Sequence, residues 1–372
     1  MKKTIALILT IAMVAALLTG CAGTTVVIGE CTCPCVTEDA APAATEAATE
    51  AVTIPAQEEV PAAEGAVKTG LAVSTSIKDS VSATADAEGE AKYDITLAAV
   101  TVDDNGVIQS CAIDSVPASV KFDATGAITS DLSAPIATKN EQGDAYGMVA
   151  WGGAIAEWDA QVKAVADYAV GKTVEELKNG DIDMTTGKAK DGSDLSSSAT
   201  IYLAGYVYAI EAAVNNAQHL GAQSGDELVL VTDNSISDST SADAENAGLA
   251  QLYSTFAVVT KNSGKITSCY IDSVQAKVNF DTTGTITTDL SAPVATKNEL
   301  GEGYGMKAWG GAIAEWNEQA ASFAKYITGM TADEVAGIAI TETTKPADGS
   351  DLASSVTISI GGFQGLIAKA MQ

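Results

Sequence analysis

The sequence predicts an α+β fold that consists of two tandem copies of a small domain, each with an antiparallel sheet and packed helices. The repeat itself is the first observation that predicts it. Residues 135–158 and 293–316 are identical at nineteen of twenty-four positions, at a constant offset of 158 residues. Weaker matches on both sides extend the copies to residues 67–220 and 221–372. The second observation is that each copy changes from strand-like to helix-like patterning partway along.

The first half of each copy has the pattern of an antiparallel meander. In the first copy, residues 95–102 and 107–116 are rich in β-forming side chains and are joined by an Asp-Asp-Asn-Gly turn. In the second copy, residues 256–260 and 265–274 are joined through Asn-Ser-Gly. Further turns are predicted at residues 123–126 and 281–284.

The middle of each copy repeats its apolar residues at steps of three and four, which is typical of one helix face. The predicted faces are Trp151, Ile155, Trp158, Val162 and Val165, and then Trp309, Ile313, Trp316, Ala320 and Phe323. Gly171 and Gly329 are expected to end these helices. Capping boxes at residues 173–176 and 331–334 are expected to begin a short second helix.

The N-terminus has the form of a bacterial lipoprotein signal. Residues 1–20 combine two lysines, an apolar segment and a final Leu-Thr-Gly before Cys21. We expect cleavage before Cys21 and lipidation of its sulfur, which would anchor the protein to the cell membrane, facing outside the cytoplasm. Residues 21–66 are rich in Ala, Glu, Thr and Pro and predict a disordered stalk.

The charge and the cysteines exclude several classes of function. The net charge is −28, so the chain lacks the basic surface that binds nucleic acid. All 20 basic residues are lysines, so no arginine can make a bidentate contact with a freely exchanging phosphate ligand. Cys31, Cys33 and Cys35 lack zinc-knuckle spacing, which leaves lateral disulfides or no role. Cys111 and Cys269 occupy matching strand positions and are expected to be small buried residues.

Hydrolytic chemistry finds little support. His219 is the only histidine, it lies at the boundary between the copies, and we expect it to face solvent. The sequence therefore offers no convincing Ser-His dyad and no His or Cys cluster for a catalytic metal.

A short motif late in each copy could carry chemistry. It reads Asp-Leu-Ser-Ser-Ser-Ala-Thr over residues 194–200 and Asp-Leu-Ala-Ser-Ser-Val-Thr over residues 351–357. The motif resembles the flavinylation motif of the FMN-binding domain family, whose members include flavin-carrying components of the sodium-pumping NADH:quinone reductase and of the Rnf complex. The resemblance implies that a flavin transferase moves FMN from FAD onto the hydroxyls of Thr200 and Thr357 as a phosphoester. It also implies that Asp194 and Asp351 are read by the transferase.

The sequence departs from the family pattern at three positions. Ser198 and Ser355 stand where the family usually has glycine, and Val356 stands where it has alanine. We expect the second site to be the weaker substrate, because a bulkier residue precedes its threonine. Apolar residues resume at 201–213 and 363–370 and predict helices whose first N–H groups could receive the phosphate.

The flavin ring would need flat apolar cover. Candidates are taken from the best-preserved segment of the repeat, where core packing and flavin contact are equally open: Tyr146, Met148, Trp151, Tyr304, Met306 and Trp309. Trp158 and Trp316 are expected to pack in the core. Lys139 and Lys297 could lie near the flavin, but we expect them to be solvated.

The layout of an anchor, an acidic stalk and two such domains resembles the lipoproteins of Gram-positive extracellular electron transfer. The resemblance implies an electron carrier rather than a stand-alone enzyme. Electrons would come from a membrane quinol-oxidising donor and leave to an outside acceptor such as ferric iron. The alternative is a non-redox surface lipoprotein with structural or ligand-binding repeats. A solute-binding lipoprotein is disfavoured, because such proteins have two unlike lobes.

Overall fold

The first copy opens on the meander that its sequence predicts. The computed structural model describes residues 65–372, in which β1 (Lys68–Ser76), β2 (Gly89–Val102) and β3 (Ile108–Phe122) form one antiparallel sheet in that order. The carboxylate of Asp103 closes the β2–β3 turn by accepting hydrogen bonds from the backbone of Asn105 and Val107, each at 2.9 Å. The strands are longer than the predicted segments, because the ladder continues to Phe122.

The helices of the first copy follow its sheet. They are α1 (Lys139–Gln142), α2 (Met148–Gly152), α3 (Trp158–Ala169), α4 (Val174–Asn179) and α5 (Ala204–Asn215). Two short strands, β4 (Ile182–Asp183) and β5 (Lys188–Ala189), form a hairpin between α4 and α5. The predicted capping box is confirmed, since the Thr173 side chain accepts from the Glu176 backbone and Glu176 accepts from the Thr173 backbone.

The second copy repeats this order, except that an isolated bridge between Ile340 and Pro346 stands in place of the β4–β5 hairpin. Its sheet consists of β6 (Glu227–Ser235), β7 (Gly248–Asn262) and β8 (Lys265–Phe280). Its helices are α6 (Lys297–Leu300), α7 (Met306–Gly310), α8 (Trp316–Ile327), α9 (Ala332–Ala336) and α10 (Gly361–Ala370). The α+β class is confirmed.

The sheets of the two copies pack face to face, an arrangement that the sequence leaves open. Their shared core includes Tyr93, Ile95 and Leu97 of β2 and Leu252 and Phe256 of β7. The opposite face of each sheet is covered by its own helices, α3 and α5 in the first copy and α8 and α10 in the second. Residues 65–372 therefore have four layers in the order helix, sheet, sheet, helix.

The prediction of one continuous helix from Trp151 is wrong in its first turns. Helix α2 ends at Gly152, and Gly153 follows it with φ of 62°, a left-handed conformation that stops the helix. Helix α3 begins only at Trp158, so Trp151 and Ile155 do not belong to its buried face and are exposed. Trp309 and Ile313 are exposed for the same reason, because Gly311 ends α7.

The expectations for the N-terminus concern residues that the structure does not describe. The predicted signal peptide, the predicted lipidation of Cys21, the cysteines at residues 31, 33 and 35 and the predicted stalk up to residue 64 all lie outside the described range. Ala66, the last residue assigned to the stalk, forms a bridge with Gln223 and is part of the fold. Within residues 65–372, no helix is long and apolar enough to cross a bilayer.

Candidate functional site

Each motif threonine is held by a buried glutamine from the long helix of its copy. The Gln161 side-chain oxygen accepts from the backbone N–H of Thr200 at 2.8 Å and from its hydroxyl at 3.2 Å. The Gln319 oxygen accepts from the backbone N–H of Thr357 at 2.8 Å and from its hydroxyl at 3.1 Å. The same two hydrogen bonds therefore fix the threonine in both copies.

The glutamines are themselves immobile. Both Gln161 and Gln319 are completely buried. Their amide nitrogens donate to the backbone oxygens of Ala156 and Ala314, each at 2.8 Å. Since both ends of each amide are bonded, the side chain is locked in one orientation. The threonine it holds is nevertheless accessible: Thr200 is exposed and Thr357 is half-buried.

The rest of the motif is anchored by its apolar members. Leu195 and Ala199 of the first copy and Leu352 and Val356 of the second are buried in the core between sheet and helices. Val356 is wholly buried, so its extra bulk points into the core and not beside the threonine hydroxyl. This placement removes the physical reason for expecting the second site to be the weaker substrate.

The acidic positions of the motif and Ser198 are exposed, and Ser355 is half-buried. Asp194 and Asp351 are exposed, and within residues 65–372 neither carboxylate has a hydrogen-bond or ion-pair partner. Ser198 has φ of −115° and Ser355 has φ of −121°, so both adopt conformations open to any residue. The departure from glycine at these positions therefore causes no backbone strain here.

The polar residue immediately before the same helix holds the segment that carries the exposed tryptophan. Glu157, one turn before Gln161, accepts from the backbone N–H of Met148 at 2.7 Å and of Val149 at 3.0 Å. In the second copy, Glu315 accepts from Met306 at 2.8 Å and from Lys307 at 3.0 Å. The start of one helix thus positions both the threonine and the tryptophan segment.

Trp151 and Trp309 are unusual in their exposure. Their exposed fractions are 91% and 89%, whereas Trp158 and Trp316 are 3% and 5% exposed and pack in the core as expected. One edge of each exposed ring lies over the glycine four residues before it. A Cβ on Gly147 or Gly305 would collide with that edge, and both glycines have φ of 82°. The rings are therefore seated on their own segment with a face left open to solvent.

The other four residues proposed to cover the flavin ring lie at the edge of the core. Tyr146 and Met148 pack against the helix-side core of the first copy, and Tyr304 and Met306 against that of the second. All four are half-buried. Each pair lies in the same chain segment as the exposed tryptophan of its copy.

The expectation that both lysines are solvated is wrong for Lys297. Its side chain is only 4% exposed, because the rings of Tyr253, Tyr304 and Trp316 surround its amino group with centroids 4.6, 4.9 and 4.8 Å away. The amino group also donates to the Tyr253 hydroxyl at 2.8 Å. Lys139 is half-buried and lies over Tyr146 and Trp158, at 5.4 and 5.1 Å.

The expectation that His219 faces solvent is also wrong. Only 12% of its side chain is exposed; its Nε2 lies 3.0 Å from the Asp104 carboxylate, and its Nδ1 is buried without a hydrogen-bond partner. Cys269 is buried as expected, whereas Cys111 is half-buried, and desolvation raises the pKa of both thiols to about 12. Within the described residues, no group of three or more His, Cys, Asp or Glu side chains could hold a metal.

The comparisons with known proteins leave the family open. A scan of protein families, a search of curated proteins and a search of solved structures each returned no match for the chain.

Sequence reasoning missed the residues that build the site. The patterns that predict the fold and the motif single out neither Gln161 and Gln319 nor Glu157 and Glu315 in their positioning role. A signal for them was present, because Glu-Trp-x-x-Gln recurs at the 158-residue offset and places two polar residues one turn apart beside a buried tryptophan.

Proposed function

We propose that this chain is a lipid-anchored extracytoplasmic electron carrier that bears FMN covalently on Thr200 and Thr357. One observation carries the proposal above the others. In both copies an accessible threonine, at the position of the flavinylation motif, is fixed through its backbone and its hydroxyl by a completely buried glutamine. The two bonds hold the backbone of the threonine and point its hydroxyl in one direction, which is what attachment of a group to that oxygen needs.

The attachment chemistry balances on this chain's hydroxyl and on FAD as co-substrate. The Thr200 oxygen attacks the phosphorus on the FMN side of the pyrophosphate, a P–O bond forms to threonine, and the bond to AMP breaks. The hydroxyl proton leaves to a base of the flavin transferase or to water, because the amide oxygen of Gln161 is too weak a base to keep it. The hydrogen bond that the Thr200 hydroxyl donates to Gln161 orients the hydroxyl oxygen for the attack.

The residues around each threonine fit a flavin. Helices α5 and α10 begin four residues after the threonines, and neither Leu203 nor Ile360 caps its helix with a side chain. Their first N–H groups are therefore suited to the phosphate oxygens. The exposed ring of Trp151 or Trp309 would supply a flat surface for the flavin. The covalent bond replaces the arginine clamp that the composition excludes.

Bound FMN supplies one- and two-electron transfer, and the chain would supply its position and its tether. We propose that electrons arrive from a membrane quinol-oxidising donor and leave to an extracellular acceptor such as ferric iron. The exposure of Thr200 and of both tryptophans favours this role, because a carrier works by close approach to its partners rather than in a closed substrate pocket.

The proposal is tested by intact mass and peptide mapping of the full chain made beside a flavin transferase. The wild type is compared with Thr200→Val and Thr357→Val. Two FMN increments, each lost with its own threonine, are expected. An unmodified chain, with a transferase shown to act on another substrate, would overturn the proposal and leave a non-redox surface lipoprotein with ligand-binding or structural repeats.

A further inference from the structure

The two copies differ at one aromatic residue beside the motif threonine. Tyr202 follows Thr200 by two residues, and Ser359 follows Thr357 by two. The backbone confirms that the positions correspond. Leu203 donates to the Gly187 oxygen at 2.6 Å, and Ile360 donates to the Thr344 oxygen at 2.8 Å. The same turn therefore lies under this position in each copy, with glycine in one and threonine in the other.

Tyr202 is both exposed and confined. Its exposed fraction is 60%, and its ring belongs to none of the buried clusters. A Cβ on Gly187 would overlap the ring, so only glycine leaves room for it there. On its other edge, a Cβ on Gly205 would lie 3.8 Å from the ring, which places the tyrosine against the first turn of α5. The ring is thus held between two glycines while most of it faces solvent.

The second copy has no such ring. Thr344 takes the place of Gly187 with φ of 59°, a strained conformation for a β-branched residue, and its hydroxyl bonds that of Ser359. A tyrosine at position 359 would meet the Thr344 side chain where Tyr202 finds open glycine. The two positions therefore differ together between the copies. The first copy combines Gly187 with Tyr202, and the second combines Thr344 with Ser359.

A confined, exposed aromatic ring is a poor feature for stability but a good one for binding. Most of its apolar surface remains in water, so it contributes little burial to the fold. Because the glycines restrict its motion, it loses little conformational freedom when a flat molecule packs on it. Its Cα lies within about 7 Å of that of Thr200, since two residues span no more than this. A group attached to the Thr200 hydroxyl is thus within reach of the ring.

We infer that Tyr202 covers part of the flavin on Thr200, and that the flavin on Thr357 lacks this cover. The inference rests on the proposed function and adds to it that the two sites are unequal. The first site shields its flavin with an aromatic residue next to the attachment point. The second leaves the corresponding part of its flavin open to water and to small solutes.

The test uses the full chain with a single flavin, made beside a flavin transferase with the Thr357→Val change. Intact mass first establishes that FMN is attached. Quenching of the flavin emission by iodide then reports how much of the ring is open to solvent. Tyr202→Ser is expected to raise the bimolecular iodide quenching constant (the Stern–Volmer constant divided by the emission lifetime) several-fold. Tyr202→Phe is expected to keep this constant at the parent value, because a phenyl ring still covers the flavin. Tyr208→Ser removes another exposed tyrosine, on α5, and is expected to change nothing.

The reciprocal change supplies a gain of function. In a chain with Thr200→Val, the pair Thr344→Gly and Ser359→Tyr is expected to lower iodide quenching of the flavin on Thr357 toward the value of the first site. Equal quenching in the parent and in Tyr202→Ser, with FMN attached in both, would overturn this inference alone and leave Tyr202 as a cover for its turn. A parent without FMN would overturn the proposed function together with it.

Discussion

Phe122 and Phe280 stack face to face between the two sheets, with ring centroids 4.0 Å apart and planes 2° apart. They are equivalent residues of the two copies, at the 158-residue offset. A residue that contacts its own equivalent lies on an approximate twofold axis, as in an isologous dimer interface. Reciprocal hydrogen bonds surround the pair: Ala83 donates to the Gly284 oxygen and Ala242 to the Gly126 oxygen, both at 2.8 Å.

We expect the first copy alone to form a homodimer. Residues 65–220 expressed without the second copy would expose the face that carries Tyr93, Ile95, Leu97 and Phe122. Because the contact is self-complementary, a second molecule of the same fragment can replace the missing copy. Sedimentation equilibrium should give twice the fragment mass at micromolar concentration.

The control for this fragment is Phe122→Asp, which would place two carboxylates opposite each other at the axis. It should abolish the dimer and leave a poorly folded or aggregating species. A well-folded monomer of the unaltered fragment would contradict the expectation, since it would mean that the exposed face is stable in water.

Gln161→Met should reduce flavin attachment at Thr200 while leaving Thr357 unaffected. The change keeps the size of the side chain but removes the oxygen that accepts from the Thr200 backbone and hydroxyl. It also leaves buried polar groups unpaired, at a cost of roughly 1–3 kcal/mol of stability. Peptide mapping of the chain made beside a flavin transferase gives the occupancy of both sites.

Thr357 provides an internal control in the same molecule, and Gln319→Met should produce the opposite pattern. Thermal unfolding of each variant separates a loss of site geometry from a loss of fold. Full occupancy of Thr200 in Gln161→Met would show that the glutamine stabilises the loop without orienting the hydroxyl.

The local structure of this protein is readable from its sequence because local chemistry determines it. The Asp-Asn-Gly turn closes on its own aspartate, and the Thr173–Glu176 capping box forms within a single turn of helix. The pairing of the two sheets was not predicted, although a signal for it exists. Residues 97–100 and 256–259 are continuous apolar runs, which is the pattern of a strand buried on both faces.

The error over Trp151 has a physical origin. Spacing at three and four residues shows that side chains could share a helix face, but it does not show that the helix is continuous. Two glycines interrupt it at residues 152–153, and a glycine with positive φ ends a helix whatever the apolar pattern around it. The missed glutamines are a different case, because a polar residue within a buried face has no partner in the sequence alone. Its partner, the Thr200 backbone, is 39 residues away.

The tryptophan emission of the unmodified protein should divide into two populations. Trp151 and Trp309 are almost fully exposed, whereas Trp158 and Trp316 are buried. Acrylamide should therefore quench roughly half of the emission readily, since two of the four tryptophans lie at the surface. The double change Trp151→Phe and Trp309→Phe should remove the quenchable component, shift the remaining emission to the blue and leave stability within about 0.5 kcal/mol. Uniform quenching of the parent would contradict the exposure of the two rings.

Asp272 gives the protein a stability that depends on pH in a predictable direction. The residue is 2% exposed in β8, and burial raises the pKa of its carboxyl to about 7. Hydrogen bonds from Thr296, Asn298 and Ser273 act to lower this pKa, but they do not offset the burial. The unfolded value is about 3.9, so the folded state binds the proton more tightly. The protonated carboxyl therefore contributes stability that is fully present below about pH 4 and is lost as the pH rises through 7.

The loss between pH 5 and pH 8 should approach a few kcal/mol, with roughly 4 kcal/mol as the upper limit for a shift of this size. Turn hydrogen bonds lower the pKa values of the exposed Asp281 and Asp289, so these two carboxyls are already ionised at pH 5 and do not contribute to the loss. Asp272→Asn keeps an acceptor for the backbone N–H groups of Ser273 and Asn298 but cannot ionise, so its free energy of unfolding should vary much less across this range. Urea titrations at pH 5 and pH 8 measure the difference.

Asp114→Asn, at the equivalent and less buried position, should reduce the pH dependence by a smaller amount, because burial also raises the pKa of that carboxyl. A parent equally stable at pH 5 and pH 8 would mean that the Asp272 carboxyl is ionised at little cost inside the fold.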